Sequence, residues 1–322
     1  ILHWILEYRR HSRNVASIPI RIHVNGTRGK SSVTRLIAAG LRAGGKKTIA
    51  KITGTLPRVV LPDGRESAII RLQGANIIEQ KYIFRYAAGE KPDAIVIECM
   101  AVNPVFQWIT ERKFVKSTIS VITNCRPDHL DLMGSTVQSV TMSLANTIPN
   151  GGVCYTAETH MFSILKEVAD QRGCKIHKIV PKDVTDAEMA AFHHIEHKEN
   201  VQLALAVCAE VGIPRDKALK GMQEAHPDPG ALKKYRVEDR GKVIQFYNVF
   251  AANDPESTVY IINMVTGRLK DVQKIIIINS RADRLFRSQQ LVDAMKQVDY
   301  SYILLTGEIP DKVEAYALAA GI

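Results

Sequence analysis

The chain has 322 residues, 46% of them apolar and 24% charged, which is enough to bury more than one core, so two globular units are expected. Its formal net charge of +10 points to a polyanionic partner, and the 6% aromatic content, with no basic run interleaved with stacking side chains, argues against nucleic acid. No apolar stretch of about 18 residues occurs, which excludes a membrane span within this sequence, and no segment is low in complexity. The five cysteines, Cys99, Cys125, Cys154, Cys174 and Cys208, form no CxxC pair, so neither a disulfide framework nor a zinc site is expected and a reducing compartment fits.

Residues 1–17 open with Ile1, Leu2, Trp4, Ile5 and Leu6 and turn basic at Arg9, Arg10, His11 and Arg13. That order suits the cytoplasmic edge of a transmembrane helix or an amphipathic surface helix, and both stay open. Next, Ile20, Ile22 and Val24 predict a short strand. A Gly-rich turn follows, and Val33, Leu36, Ile37, Gly40 and Leu41 keep the spacing of a helix that Gly44-Gly45 stops. Buried strands are expected at 94–98, 118–123 and 176–180, the last after a helical run ending near Gly173. A helix over 200–211, closed by Gly212 and Pro214, leads through a second short helix to Pro227-Asp228-Pro229-Gly230. This Pro- and Gly-containing stretch marks a boundary between domains at 18–232 and 233–322. In the second domain, strands are expected at 243–249, 275–278 and 302–305, with a helix at 289–298 between the last two. The last residues, Ala319-Ala320-Gly321-Ile322, carry no terminal element, so further chain is expected after them. Alternating strands and helices predict an α/β fold. A mainly parallel sheet would carry the phosphate loop, and a smaller α/β, Rossmann-like domain would follow.

The strongest chemical signal is Val24-Asn25-Gly26-Thr27-Arg28-Gly29-Lys30-Ser31-Ser32 between a strand and a helix. Glycines there let backbone N–H groups and the helix N-terminus face a triphosphate, with Lys30 on the β/γ-phosphates and Ser31 on Mg²⁺. A strict version of the loop has glycine where Val24 stands. The second signal is Asp93-Ala94-Ile95-Val96-Ile97-Glu98, an apolar strand closed by a carboxylate. At the carboxyl end of a parallel strand Glu98 would share the loop's crevice and serve as a magnesium ligand. Third is Thr123-Asn124-Cys125-Arg126-Pro127-Asp128-His129-Leu130-Asp131, again after a strand. It suits a second cation, an oriented nucleophile, or simply a helix start capped by Asp128.

Together these residues resemble the Mur ligase superfamily, which keeps a Gly-Thr-x-Gly-Lys-Ser/Thr loop without the first glycine and an Asn-x-x-x-Asp-His-Leu-Asp segment matched here by Asn124 and Asp128 to Asp131. Within it the chain is similar to the ligase-subunit family of poly-γ-glutamate synthases, the PgsB/CapB type. Segments Glu98-Cys99-Met100-Ala101-Val102-Asn103-Pro104, Thr147-Ile148-Pro149, Pro227-Asp228-Pro229-Gly230-Ala231, Phe250-Ala251-Ala252-Asn253-Asp254 and Arg281-Ala282-Asp283-Arg284 carry that likeness.

The resemblance implies ATP and Mg²⁺ as cofactors and Lys30, Glu98 and His129 as catalytic residues, with Ser31, Glu98 and His129 as metal ligands. Gly26, Thr27, Arg28, Gly29, Lys30, Ser31, Ser32 and Asn200 would hold the nucleotide, Asn200 at the adenine. Arg281, Arg284 and Asn253 would meet the substrate, and Arg58 and Arg71 are further candidates for its carboxylates. The implied reaction adds glutamate through its γ-carboxylate to poly-γ-glutamate, via an acyl phosphate. It would run at the cytoplasmic face of the membrane beside membrane subunits, with the oligomeric state open. The alternatives are another ligase of the superfamily, such as a folylpolyglutamate synthetase, and a phosphate-loop ATPase that is no ligase. Two departures stand out. No lysine lies between His129 and Lys166, where Mur ligases carry a carbamylated one, and Ala231 follows the Pro-Gly pair where they have arginine.

Overall fold

The computed structural model describes residues 2–322 apart from positions 55, 72–73, 181, 195, 228–232, 250–254, 268 and 270–271. Backbone contacts divide the chain into two units, Ile1–Pro229 and Gly230–Ile322.

The first unit is built on an eight-stranded sheet. Helix α1 (Leu2–Ala16) precedes β1 (Ile20–Asn25), and α2 (Lys30–Ala43) leads to β2 (Thr48–Ile52). The hairpin strands β3 (Arg58–Val60) and β4 (Glu66–Ala68) come before α3 (Glu79–Glu90) and β5 (Ala94–Glu98). Helix α4 (Pro104–Ile109) runs into a π-helical turn (Thr110–Val115). Then follow β6 (Ile119–Ile122), α5 (Leu130–Met133), α6 (Val137–Leu144), β7 (Val153–Thr156), α7 (Phe162–Gln171) and β8 (Lys175–Lys178). Helices α8 (Asp186–Ala190), α9 (Lys198–Glu210) and α10 (Arg215–Gln223) end the unit.

The strand order is β4-β3-β2-β5-β1-β6-β7-β8. From β2 to β8 neighbouring strands are parallel, while β3 and β4 add antiparallel. Strands covered on both faces need apolar side chains on both, which is why β5 reads as a continuous apolar run. Its Ala94 and Val96 pack with Val33, Leu36 and Ile37 of α2 and Val201 and Leu205 of α9. Its Ile95 and Ile97 face the opposite layer, with Ile83 and Phe84 of α3 and Val15 of α1. The chain leaves β1 toward β2 on one side and reaches β6 on the other, so the crevice beyond the carboxyl ends of β5, β1 and β6 is the sheet's switch point.

The strand expected to be buried at 176–180 is instead an exposed edge strand, Lys175–Lys178. It pairs only with β7, and its lysines and His177 turn to solvent. The hairpin β3–β4 was not expected, since three-residue strands leave too short a pattern to read. Within the expected N-terminal segment, Leu2–Ala16 forms a helix with His11 and Val15 buried and Trp4 exposed. No helix among the described residues is long and apolar enough to cross a membrane.

The second unit holds an antiparallel pair, β9 (Lys233–Asp239) and β10 (Lys242–Asn248). They are joined through Arg240 and Gly241, both at positive φ as a two-residue hairpin turn with right-handed strands requires. Helix α11 (Pro255–Thr266), β11 (Ile275–Ser280), α12 (Leu285–Ala294), β12 (Tyr302–Gly307) and α13 (Pro310–Ala319) complete it, with β11 and β12 parallel. Its core joins Ile262, Ile278, Val292, Met295, Val313 and Ala317. The helix expected at 289–298 starts at Leu285 and gives way to a 3₁₀ turn at Met295–Gln297. Strand β9 escaped notice because its residues are mostly charged.

Candidate active site

Residues 26–29 form the loop between β1 and α2. Two of its glycines are dictated by space. At Gly26, φ is +133° and a Cβ would fall 2.0 Å from Thr123 Oγ1. At Gly29, φ is +80° and a Cβ would fall 2.8 Å from Asn200 Oδ1. The loop is laced to the end of β6. Asn124 Oδ1 accepts from the Thr27 hydroxyl at 2.6 Å and from Arg28 N–H at 3.1 Å, and Asn124 Nδ2 and Thr123 Oγ1 both donate to the Arg28 carbonyl. The Lys30 ammonium curls over the loop to the carbonyls of Gly26 (2.7 Å) and Thr27 (3.2 Å). Burial lowers its pKa below the usual lysine range, partly offset by Glu98 and Asp128.

Glu98 closes β5 with 2% of its surface exposed. Both its oxygens lie 3.1 Å from Ser31 Oγ on the first turn of α2, and Oε2 accepts the Thr53 N–H at 2.7 Å. Burial raises its pKa, against the pull of Thr53, Lys30 and Ser31. A hydroxyl and a buried carboxylate converging beside a phosphate loop are hard oxygen donors, a set that fits Mg²⁺. Asp128 pairs with Arg28 at 3.1 Å and makes no side-chain cap for α5, which begins at Leu130. His129, at φ +46°, has its Nε2 3.9 Å from Asp128 Oδ1 and a side chain 38% exposed. Among the described residues no three His, Cys, Asp or Glu side chains gather as a metal-holding group.

Asn200 sits in the first turn of α9, buried against Gly29, and donates to Glu196 at 2.8 Å. The loop residues, Ser31, Glu98, Asn124 and Asn200 are therefore brought together. Arg71 is bound by both oxygens of Glu79, which also takes the fully buried Lys51 at 2.6 Å, and Arg58 lies 3.5 Å from Glu66. Arg281 and Arg284 follow the end of β11 in the second unit, Arg281 just before a 3₁₀ turn and Arg284 as its last residue. Asn253, Ala231 and most of 227–231 and 250–254 lie outside the described residues.

Sequence reasoning missed three participants. Thr53 acts through its backbone, which leaves no side-chain signal. Glu158 collects the N–H groups of Cys125, His160 and Met161 and so ties the ends of β6 and β7 together. Lys51, a lone charge in an apolar strand, was the one legible clue, because such a charge implies a buried partner.

The fold and this site together define a class: the Mur-type ligases, ATP-dependent enzymes that form amide bonds. Two family models match the chain, the Mur ligase middle domain over residues 24–214 and the poly-gamma-glutamate synthase CapB C-terminal domain over 232–322. The chain is 37% identical over 321 residues to the PGA synthase CapB of Bacillus subtilis (strain 168), covering 97% of this chain and 81% of that protein. It is 36% identical over 312 residues to the capsule biosynthesis protein CapB of Bacillus anthracis, covering 96% and 67%. The chain belongs to the CapB family of poly-gamma-glutamate synthases. In fold it resembles the Mycobacterium tuberculosis folylpolyglutamate synthase complexed with ADP, with a TM-score of 0.71 at 18% identity over 98% of this chain and 80% of that one. It likewise resembles E. coli FolC in complex with DHPP and ADP, with a TM-score of 0.62 at 14% identity over 98% and 92%.

Proposed function

We propose that the protein lengthens poly-γ-glutamate, using ATP and Mg²⁺ to activate a terminal carboxylate for attack by the amine of glutamate. The observation that carries this is the convergence of Ser31 Oγ and both Glu98 oxygens, 3.1 Å apart, beside Lys30 at the phosphate loop, in a chain of the CapB family.

In this proposal the N–H groups of the loop and of the first turn of α2 cradle the triphosphate. Lys30 exchanges its two loop carbonyls for β/γ-phosphate oxygens, offsetting charge as the γ-phosphoryl group moves to the acceptor carboxylate. Ser31 and Glu98 would hold Mg²⁺, which supplies electrostatic neutralisation of the phosphates when bound. The acyl phosphate so formed has a good leaving group, the attacking amine expels phosphate, and a proton is released. Asn200, against Gly29, is the side chain assigned to the adenine, and Arg281, Arg284 and Asn253 to the substrate's carboxylates. His129 is assigned to orient reactants at the end of β6. Residues 18–232 are taken as the ATP-binding domain and 233–322 as the ligase domain.

The proposal includes a site of action at the cytoplasmic face of the membrane beside membrane subunits. The exposed Trp4, Ile5, Leu6 and Tyr8 next to Arg9, Arg10 and Arg13 on α1 support it.

The test is Mg²⁺-dependent ADP release with and without glutamate and short γ-glutamyl oligomers. Stimulation by these substrates, abolished in Lys30→Ala, is the expected outcome. Turnover indifferent to them, or stimulated by a pterin instead, would overturn the substrate assignment.

A further inference from the structure

One face of α2 carries charge that the nucleotide site does not use. Ser31, Arg35 and Arg42 stand four and seven residues apart, so they lie in one row along the helix, starting at the hydroxyl next to Glu98. Arg35 is 5% exposed, and its guanidinium grips both oxygens of Glu66 at the start of β4. Arg58, at the start of β3, brings Nε to 3.5 Å from the same carboxylate. Arg42 feels Asp63 and Glu66 as attractive and Arg35 as repulsive charges. Asp63 is already held by Arg65 at 2.6 Å. Two guanidiniums, Arg35 and Arg58, thus share one carboxylate, Glu66, and Arg42 lies within its field, leaving an excess of positive charge.

The donors are in excess as well. Arg35 Nε and Arg42 Nη1 are buried and have no hydrogen-bond partner among the described residues, and the buried Arg58 Nε makes no hydrogen bond beyond its 3.5 Å ion pair with Glu66. A buried cationic N–H without an acceptor is costly, and two beside a third that is weakly paired mark a place for an anion. The cluster also meets the crevice. Arg58 pairs in register with Ile52 on β2, one residue before the Thr53 N–H that serves Glu98.

We propose that Arg35, Arg42 and Arg58 form an anion track leading away from the catalytic crevice, where the protein holds the free α-carboxylates of the γ-glutamyl chain it extends. The inference rests on the ligase reading. A γ-linked chain leaves one carboxylate free on every residue, and the planar guanidinium fork matches a carboxylate in two-point contact. The triphosphate is served by loop N–H groups and Lys30, so it leaves these arginines for a different anion. A single glutamate reaches at most one station of the row, whereas an oligomer spans several and binds with the gain of linked contacts.

The experiment uses the full chain and a fluorescent γ-glutamyl decamer, with free glutamate and inorganic tripolyphosphate as competing probes. Variants are Arg42→Gln, Arg42→Lys, Arg58→Gln and the Arg42→Gln/Arg58→Gln double, each checked for a cooperative melt. The decamer's Kd is expected to rise about tenfold in Arg42→Gln and further in the double variant. Arg42→Lys, which keeps the charge, is expected to restore part of it. Should Arg42→Gln not fold, Arg58→Gln, whose side chain is 28% exposed, carries the comparison. Unchanged decamer binding in the folded double variant overturns the track, as does tripolyphosphate displacing the decamer only through these arginines while γ-glutamyl chains fail to compete. If the unsubstituted protein shows no glutamate-dependent ADP release, the ligase reading falls and takes the track with it. If that release is intact while decamer binding ignores the substitutions, the track alone falls.

Discussion

Val24 stands where a strict phosphate loop carries glycine because in this chain that position is still strand. It is fully buried, paired in register with Glu98 on one side and Val121 on the other. Its neighbour His23 is equally buried, with Nδ1 2.7 Å from Glu111 Oε2. Burial by itself would lower the pKa of His23, but Cys99 and the Glu111 carboxylate outweigh it and raise it to about 9. A histidine raised in the folded state stabilises it fully below its unfolded value near 6.5, and that contribution is lost as pH rises through about 9. The melting temperature is therefore expected to fall as pH rises between these limits. Glu111→Gln should flatten the profile, and an unchanged slope in that variant would refute the assignment. Lys30, Ser31 and Glu98 were legible in the sequence because a loop motif and a strand-end carboxylate are local patterns. The His23–Glu111 pair was not, since 88 residues separate its members and only the packing of β1 on the π-helical turn joins them.

At the level of elements, the phosphate loop owes its shape to another strand. Asn124, just past β6, closes three hydrogen bonds onto residues 27 and 28, doing for the loop what no residue within it does. Asn124→Ala is expected to cost about 1–3 kcal/mol of stability. It should also weaken ATP binding by roughly tenfold. Thermal melts with and without nucleotide check both, and a variant that binds ATP normally would show that the loop holds itself. The three central strands β1, β5 and β6 and the flanking helices α2 and α9 were readable, because burial on both faces writes apolar runs. What escaped were the hairpin β3–β4, the charged strand β9 and the short buried strands β2 and β7, while β8 was expected but as a buried strand. The hairpin turn did leave a trace in Arg240-Gly241, since glycine is the common choice at the second central position of such a turn.

For the whole molecule, each unit has its own apolar core, the first built from residues up to Met222 and the second from residues beyond Ile262. A fragment of residues 1–229 is therefore expected to melt cooperatively and to retain ATP binding while losing glutamate-dependent turnover. A fragment that fails to melt as one transition would refute the independence of the first core. The way each sheet is wound was not legible, because it comes from pairing between distant strands.

The five cysteines all belong to the first unit, and all are buried and free. Burial pushes the thiols of Cys125, Cys154 and Cys208 up to about 12 and that of Cys174 up to about 11, so at neutral pH they are protonated as well as hidden. A thiol-reactive dye is consequently silent toward the native protein and lights up only where the first unit opens. The chain thus carries its own clock for the unfolding of its nucleotide-binding half, since the other half contains no cysteine.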